Sequence, residues 1–222
     1  MESYESYEDY NTVMEMVENL VAFVAKEVNG TTKIKIAEDK FIDLAPPWDR
    51  IDLRETIIKN TGIDFLEVKN NNLLAEKMIE KGFVADPNEA WGVLIDRLIS
   101  QGVETKLIKP TFLLDYPIEM SPLAKLKPGS KDIVERFEAF VLGHELANAF
   151  SELNDPIDQR NRFIEQEKLR KNVGDQEADR LDEDFLVSIE HGMPPTGGLG
   201  IGIDRLVTVS YTHLTLPTKR IV

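Results

Sequence analysis

The spacing of apolar residues changes early in this chain from every second position to every third or fourth. Residues 1–8 alternate with the period of a strand, which places Glu2 and Tyr4 on one face. From 11 to 28, valine and leucine recur at the 3.6-residue spacing of an amphipathic helix, and Gly30 follows as a typical helix end. The sequence therefore predicts a strand followed directly by a helix.

Further along, strand patterns and helical patterns alternate. Residues 31–44 predict two short strands around a polar turn, and residues 51–108 look like a helical insertion in which no residue suggests chemistry. The other predicted strands lie at 111–115, within 135–153 and at 199–203, and the other predicted helices at 53–60, 72–81, 89–100, 156–172 and 178–190. Distant strands separated by helices predict an α+β fold around a largely antiparallel sheet. The expected divisions are 1–50, 51–108, 109–207 and an atypical tail at 208–222.

Composition narrows the classes of function. The 222 residues include 26 basic and 40 acidic side chains, and this net charge of −14 argues against nucleic-acid binding by bulk electrostatics, although it is compatible with a local basic groove. Without cysteine, disulfides, thiolate metal sites and cysteine nucleophiles are excluded, and the three histidines are too scattered to suggest a zinc site. The acidic start and the lack of a long apolar run predict neither a signal peptide nor a membrane span. We expect a soluble, cytoplasmic, globular protein.

The first candidate site lies in the strand pattern at 147–155. Asn148, Phe150 and Glu152 alternate with small residues, so one face of the strand carries an amide, a ring and a carboxylate. A carboxylate flanked by apolar residues is costly to bury alone, so Glu152 is exposed, paired or waiting for a cationic ligand. The alternative is an exposed strand face with a salt bridge.

A second candidate is the pair Glu138 and Glu145, seven residues apart. On one continuous strand this odd spacing puts them on opposite faces, whereas a turn or bulge near Gly143 and His144 brings them to one side. Two carboxylates on one side make a hard oxygen site suited to Mg²⁺. In a chain with 40 acidic residues, a solvated surface is the alternative.

A third candidate is the glycine-rich segment at 197–205. Alternate positions carry only hydrogen on one face, namely Gly198, Gly200 and Gly202. Leu199, Ile201 and Ile203 form the apolar face. Glycine in a strand marks close approach to the backbone, which suits a flat ligand such as a purine, and Arg205 offers a guanidinium to ring or phosphate. Close backbone packing is the alternative.

Together these segments resemble the catalytic domain of class II lysyl-tRNA synthetases. GGLGIGIDRLV is similar to motif 3 of class II synthetases, and ELANAFSELNDPIDQRNRF to the segment that marks the lysine enzymes. The stretches PTFLLDYPIEMSPLAK and ESYESYEDYNTVMEM are similar to the same family, so that the resemblance covers residues 1 to about 207. It implies a class II antiparallel sheet flanked by helices and a lysine–tRNA ligase activity.

The resemblance also implies roles for single residues. In the lysine site, Glu152 and Tyr4 meet the ε-ammonium. Glu2 meets the α-ammonium and Asn148 the carboxylate, and Phe150 belongs to the same site. In the ATP site, Glu138 and Glu145 hold Mg²⁺ on the phosphates, the glycines Gly198, Gly200 and Gly202 lie under the adenine, and Arg205 contacts ATP as the catalytic arginine.

The chain departs from the family pattern at both ends. It starts after the place of the motif 2 arginine, and motif 1, the dimer helix and the anticodon-binding barrel are also missing. From about residue 209, VSYTHLTLPTKRIV matches nothing expected and looks like a truncation scar. We expect a fragment of a parent that is a homodimer acting on tRNA-Lys. Alone, the fragment is expected to have a short or absent covering helix after residue 207, to make no lysyl-adenylate and to associate.

Two other functions fit parts of this pattern. One is a lysyl-adenylate ligase paralogue that modifies a translation factor, and the other a non-catalytic synthetase-like binding protein. The helical insertion and the wording SELNDPIDQR favour the tRNA enzyme over the paralogue. Retention of Glu138, Glu145 and Arg205 argues against the binding protein, while the missing motif 2 arginine keeps it open for the isolated chain.

Overall fold

A computed structural model describes residues 1–173 and 181–211, with side chains for all of these except 169–173. Its strands are β1 Glu2–Ser6, β2 Lys33–Ala37, β3 Lys40–Asp43, β4 Asp49–Asp52, β5 Thr111–Leu114, β6 Arg136–Val141, β7 His144–Ser151 and β8 Thr196–Ile201. Its helices are α1 Tyr10–Asn29, α2 Leu53–Thr61, α3 Asn71–Glu80, α4 Trp91–Gly102, α5 Pro156–Val173, α6 Glu183–Glu190 and α7 Ile203–Ser210. Within this part of the chain, no helix has the length and apolar character needed to cross a membrane.

The main sheet has six strands in the order β1-β8-β7-β6-β5-β4, and β2 and β3 form a separate hairpin. Each neighbouring pair in the main sheet is antiparallel except β4 and β5, which are parallel. The predicted α+β fold with a mostly antiparallel sheet is thereby confirmed.

One face of the sheet is closed by α1 and α7. The apolar stripe of α1, including Val13, Val17 and Val21, is fully buried in one core with Phe137 and Ala149 of the sheet. The helix is fixed at both ends, because Asp9 accepts backbone hydrogen bonds at its start and Gly30 adopts φ 72° at its end. Because side chains alternate along a strand, the residues next to these buried ones point to the opposite face of the sheet.

The opposite face is covered only at its β4–β6 end in the part of the chain that the structure describes. There α2, α3 and α4 form a second core, in which Leu94 and Leu98 pack with Leu113 and Phe140 of the sheet. Towards β7, β8 and β1, this face carries polar side chains and glycines, and Phe150 packs at the margin of the second core. The candidate site lies on this face, in its uncovered half and at the β6 border with the second core.

Two predicted boundaries were wrong. β4 lies at the start of the region predicted to be helical, because its four residues hold a single apolar side chain, Ile51, and so give no strand pattern. β8 runs over 196–201 instead of 199–203, since the backbone of Gly202 caps α7 and donates to Leu146. Ile203 is therefore the first residue of α7 and 47% exposed, and it does not belong to an apolar strand face.

The other predicted elements agree more closely with the structure. The strand pattern at 135–153 is the hairpin β6-β7, and helices α2, α3 and α4 lie within two residues of their predicted positions. Helix α6 starts at Glu183, while residues 178–180 of its predicted range lie outside the described residues. Helix α7 has eight residues and includes 208–210 of the predicted tail, of which 212–222 also lie outside the described residues. The divisions at 50, 108 and 207 stay predictions.

Candidate functional site

The uncovered face brings the predicted site residues together in two rows across the sheet. Residues directly opposite each other on paired strands point to the same face. One row is Glu138, Asn148, Gly200 and Glu2, and the other is Arg136, Phe150, Gly198 and Tyr4. The sheet register therefore places residues from both ends of the chain on one surface.

A bulge in the β6-β7 hairpin brings Glu145 to the same face as Glu138. The hairpin turns at Leu142 and Gly143, which both have positive φ. Ala139 pairs with Ala147 whereas Phe140 pairs with Glu145, so Leu146 is an extra residue in β7. In a regular ladder the odd spacing would have separated the two carboxylates. The bulge, three residues after the predicted turn, reverses that outcome.

At one end of the site, the Glu152 carboxylate lies directly on the glycine strand. A Cβ placed on Gly198 would lie 1.7 Å from Glu152 Oε1 and 3.3 Å from the Tyr4 ring, so the missing side chain makes this position possible. Burial raises the pKa of Glu152 from 4.5 to about 7, and no cation of the described residues offsets that shift. The carboxylate is half-buried without an ion pair or a side-chain hydrogen bond in the described chain.

The neighbouring groups add negative charge to this end. Burial, followed by the charges of Glu152 and Glu2, raises the pKa of Tyr4. Tyr4 and Glu152 both lie at Gly198, and Glu2 lies opposite Gly200 on the same face. A cationic ligand is the chemical complement of two carboxylates and a phenol. The structure thus brings together the residues that were predicted to bind lysine. The contact of each one with lysine stays a prediction.

At the other end, each glutamate of the predicted metal pair is bound by an arginine. Arg136 Nη2 donates to Glu138 Oε1 at 2.7 Å, and Arg205 Nη1 donates to Glu145 Oε2 at 2.7 Å. Burial is the main cause that raises the pKa of Glu138; Arg136 opposes it and the Glu145 charge adds to it. The hydroxyl of Tyr116 lies beside Glu138 without reaching hydrogen-bond geometry.

These two carboxylates have the oxygen ligands that a hard divalent cation such as Mg²⁺ takes. One oxygen of each is engaged by an arginine, which leaves the other to a further ligand. Among the described residues, no group of three or more acidic or histidine side chains is arranged as a complete metal site. Mg²⁺ commonly binds through one or two carboxylates together with water and phosphate oxygens, so the pair fits that metal.

The helical insertion supplies two acidic groups that the sequence analysis did not connect with the site. Desolvation, together with the charge of Glu145, raises the pKa of Asp96 in α4. Desolvation and the charges of Asp96, Glu138 and Glu145 raise the pKa of Glu104, just after α4. The insertion, in which no residue suggested chemistry from the sequence, therefore adds negative charge near Glu138 and Glu145.

Arg136 is the other residue that sequence reasoning missed. It precedes Glu138 by two positions in β6, so strand alternation alone could have placed it on the same face.

The three glycines that were predicted to lie under the adenine have different surroundings. Above Gly200, a Cβ would meet only the Asn148 carbonyl oxygen at 3.7 Å, which leaves room for a ligand. Gly198 is covered by Glu152, and Gly202 lies at the cap of α7 next to the Arg205 side chain. The open strip is therefore centred on Gly200, with the Arg205 side chain 53% exposed at its end.

The chain matches one known family over most of its length. The family described as tRNA synthetases class II (D, K and N) matches residues 1–214. The match continues past residue 207, where the resemblance was expected to end, and past the end of α7 at Ser210.

Individual relatives give the same result. A lysine–tRNA ligase of Dehalococcoides mccartyi is 47% identical over 213 residues, which are 96% of this chain and 43% of that protein. Those of Pelotomaculum thermopropionicum and Thermoanaerobacter sp. are 50% and 52% identical over 210 and 209 residues, in each case 93% of this chain and 41% of the relative. The chain spans about two fifths of the length of the curated relatives it matches.

Proposed function

The chain belongs to the class II tRNA synthetases (D, K and N), and we propose that it carries the amino-acid and nucleotide sites of a lysine–tRNA ligase. The family includes enzymes for aspartate, lysine and asparagine. The observation that supports lysine is Glu152, a half-buried carboxylate with no cationic partner in the described chain. Aspartate would be repelled by this end of the site, and asparagine would leave the charge uncompensated. The ε-ammonium of lysine compensates it.

The amino acid lies along the two rows in this proposal. Its ε-ammonium meets Glu152 and Tyr4, its α-ammonium meets Glu2, and its carboxylate accepts from the amide of Asn148. Phe150, at the margin of the apolar core, packs against the aliphatic stem. A ligand with two positive charges and one negative charge then finds a partner for each.

ATP occupies the strip over Gly200, with Arg205 donating to its phosphates. Glu138 and Glu145 would hold Mg²⁺, which would supply positive charge to the phosphates. The lysine carboxylate oxygen forms a bond to the α-phosphorus while the bond from that phosphorus to pyrophosphate breaks, giving lysyl-adenylate. The lysyl group then passes to the terminal ribose of tRNA-Lys and releases AMP. The residues of the chain orient and stabilise charge, and none of them forms a covalent intermediate.

The partners beyond lysine and ATP concern the whole protein. Because the matched relatives are more than twice as long as this chain, tRNA-Lys binding and a homodimeric state are proposed for the complete ligase. A cytoplasmic location is proposed with them, since charging requires ATP and tRNA in one compartment.

Pyrophosphate exchange tests this function. Residues 1–207 replace the corresponding segment of the Pelotomaculum ligase, and this chimaera is assayed with each of the twenty amino acids. We expect exchange with lysine and none with aspartate or asparagine. Exchange with either of those two but not with lysine would contradict the proposal, whereas lysine-dependent exchange without charging of tRNA-Lys would favour the paralogue that modifies a translation factor.

Lysine affinity should depend on pH because of Glu152. With its pKa raised to about 7, this group is protonated below that pH in the empty site, and an ammonium pairs only with the ionised form. We expect the Kd for lysine to rise about tenfold per unit as pH falls below 7 and to be flat above 8. The contribution of Glu152 to the free energy of unfolding has the opposite trend. It is complete below about pH 4.5 and is lost as pH rises through 7.

Calorimetric titration of the chimaera with lysine between pH 5.5 and pH 8.5, at roughly unit intervals, measures this dependence. Glu152→Gln serves as the control, since it has no proton to exchange and should give a weak, pH-independent Kd. A steep pH dependence retained in Glu152→Gln would assign the effect to another group.

The Gly200 strip gives a steric test of the nucleotide site. Gly200→Val adds a branched side chain in the open space while suiting the strand itself. We expect a folded protein whose affinity for an ATP analogue falls at least about tenfold, roughly 1.4 kcal/mol. Equilibrium dialysis with the analogue measures this, and Gly200→Ala should give a smaller loss. A variant that unfolds would support close backbone packing as the reason for the glycine.

A further inference from the structure

Arg136, on β6 at the border of the second core, is fixed by contacts on every side of its guanidinium. Its Nε donates to Asn148 Oδ1 at 3.0 Å, and its Nη2 donates to Glu138 Oε1 at 2.7 Å. Its Nη1 donates at 2.8 Å to both Met120 O and Ser121 Oγ. The guanidinium plane also lies over the Tyr116 ring, at 4.6 Å from the centroid. Four of five donors are therefore used in one geometry.

This contact determines which way the Asn148 amide points. A guanidinium has only donors, so the Asn148 atom that faces Arg136 must be the carbonyl oxygen. Both N–H groups of Asn148 are then directed away from Arg136. An amide held in this way presents donors, which are the groups that a ligand carboxylate needs.

The same guanidinium orients the first glutamate of the metal pair. Arg136 and Glu138 side chains are 13% and 15% exposed, so their ion pair is screened little by solvent. Because Oε1 is engaged by Arg136, the carboxylate is held in one rotamer with Oε2 left to a ligand. Groups that hold a metal-binding carboxylate from behind commonly change metal affinity when they are lost.

We propose that Arg136 is a positioning residue that joins the two ends of the site, fixing the Asn148 amide for the lysine carboxylate and the Glu138 carboxylate for the metal-bound nucleotide. The inference rests on the proposed function. Binding of both substrates then depends on one side chain that contacts neither of them.

A double-mutant cycle with lysine binding as the readout tests the amide half. In the chimaera, without nucleotide or metal, Arg136→Lys should weaken lysine binding about tenfold, since a lysine point charge cannot reproduce the fork. In an Asn148→Ala background the same change should cost less than about threefold, because the group to be positioned is already gone. Equal losses in both backgrounds would overturn the amide role.

The metal half is read from a non-hydrolysable ATP analogue with Mg²⁺. Arg136→Lys should weaken its binding, and the loss should shrink in a Glu138→Gln background. An unchanged affinity for the analogue in Arg136→Lys would overturn this half of the proposal.

Two further variants separate positioning from general stability. Arg162→Lys removes another buried guanidinium, which donates to Asp158 and to Ala124 O, and lysine affinity should stay within about threefold of the unsubstituted chimaera. Asn148→Asp keeps the acceptor for Arg136 and replaces the donors by an oxygen. The fold should remain, with lysine binding down at least about a hundredfold. Retained lysine affinity in Asn148→Asp would overturn the proposal even if Arg136→Lys does not fold.

Failure of the inference and failure of the function give different results. If the unsubstituted chimaera binds another amino acid and not lysine, the proposed function is wrong. If it binds lysine and Arg136→Lys binds it equally well, only the positioning role is wrong.

Discussion

Glu152→Gln in the chimaera is expected to raise the Kd for lysine at least about a hundredfold at pH 8, with the affinity for an ATP analogue changed by less than about threefold. An ammonium held at this partly desolvated position needs an opposite charge, and loss of one partner of such a pair costs about 3–5 kcal/mol. Isothermal titration calorimetry with each ligand measures both affinities. The fold should be unharmed, since the empty site no longer has to bury an unpaired charge.

Glu5→Gln provides the matched control. Glu5 lies on the same strand as Tyr4, one position further, so that its side chain points to the other face of the sheet. Its loss should leave both affinities unchanged. Comparable losses of lysine and ATP binding in Glu152→Gln would remove the case for a lysine-specific carboxylate.

The second large effect is expected at the metal pair. Glu138→Gln and Glu145→Gln should each reduce lysine-dependent pyrophosphate exchange below detection, because both hold one ion in the proposed site. The double variant should be no worse than either single one. Titration of exchange activity and of Mn²⁺ binding, the latter by electron paramagnetic resonance, separates a metal defect from a folding defect.

Asp96→Asn is the control for charge near this end. Burial and the charge of Glu145 raise the pKa of Asp96, which lies near the pair without belonging to it. Its replacement should therefore change the Mg²⁺ requirement less than either glutamine variant. Independent, multiplying effects of Glu138→Gln and Glu145→Gln would show that they do not share an ion.

The local sequence pattern could predict which face of a strand a side chain occupies, but not which strands pair with each other. Alternation correctly places Asn148 and Phe150 on one side of β7, since a strand has a period of two. Glu152, the residue after the end of β7, lies on the same side, because its carboxylate lies over Gly198. It contains nothing about the pairing of β1 with β8, a contact between opposite ends of the chain. The link between Tyr4 and Glu152 came only from the family resemblance. In the structure the register places Tyr4 opposite Gly198, and the Glu152 carboxylate lies over the same glycine.

Two features of the site escaped prediction for physical reasons. The bulge at Leu146 has no sequence signal, because leucine there suits a regular strand as well as a bulged one. Asp96 is set among buried apolar residues of α4, and its approach to Glu145 depends on how α4 packs on the sheet. Arg136 differs from these, since its spacing from Glu138 was visible in the sequence.

The pairing of β1 with β8 also sets the order in which the site can form during synthesis. The amino group of Met1 donates to the carbonyl oxygen of Ile201, across a separation of 200 residues. At a translation rate of about 5–20 residues per second, β1 leaves the ribosome roughly 10–40 s before β8 is complete. Contacts of such long range also carry a large loop-closure cost and form late in folding. A nascent chain that ends before β8 holds Glu2 and Tyr4 with no strand to place them beside Glu152. The proposed pocket for the amino acid is therefore among the last parts of the molecule to be assembled.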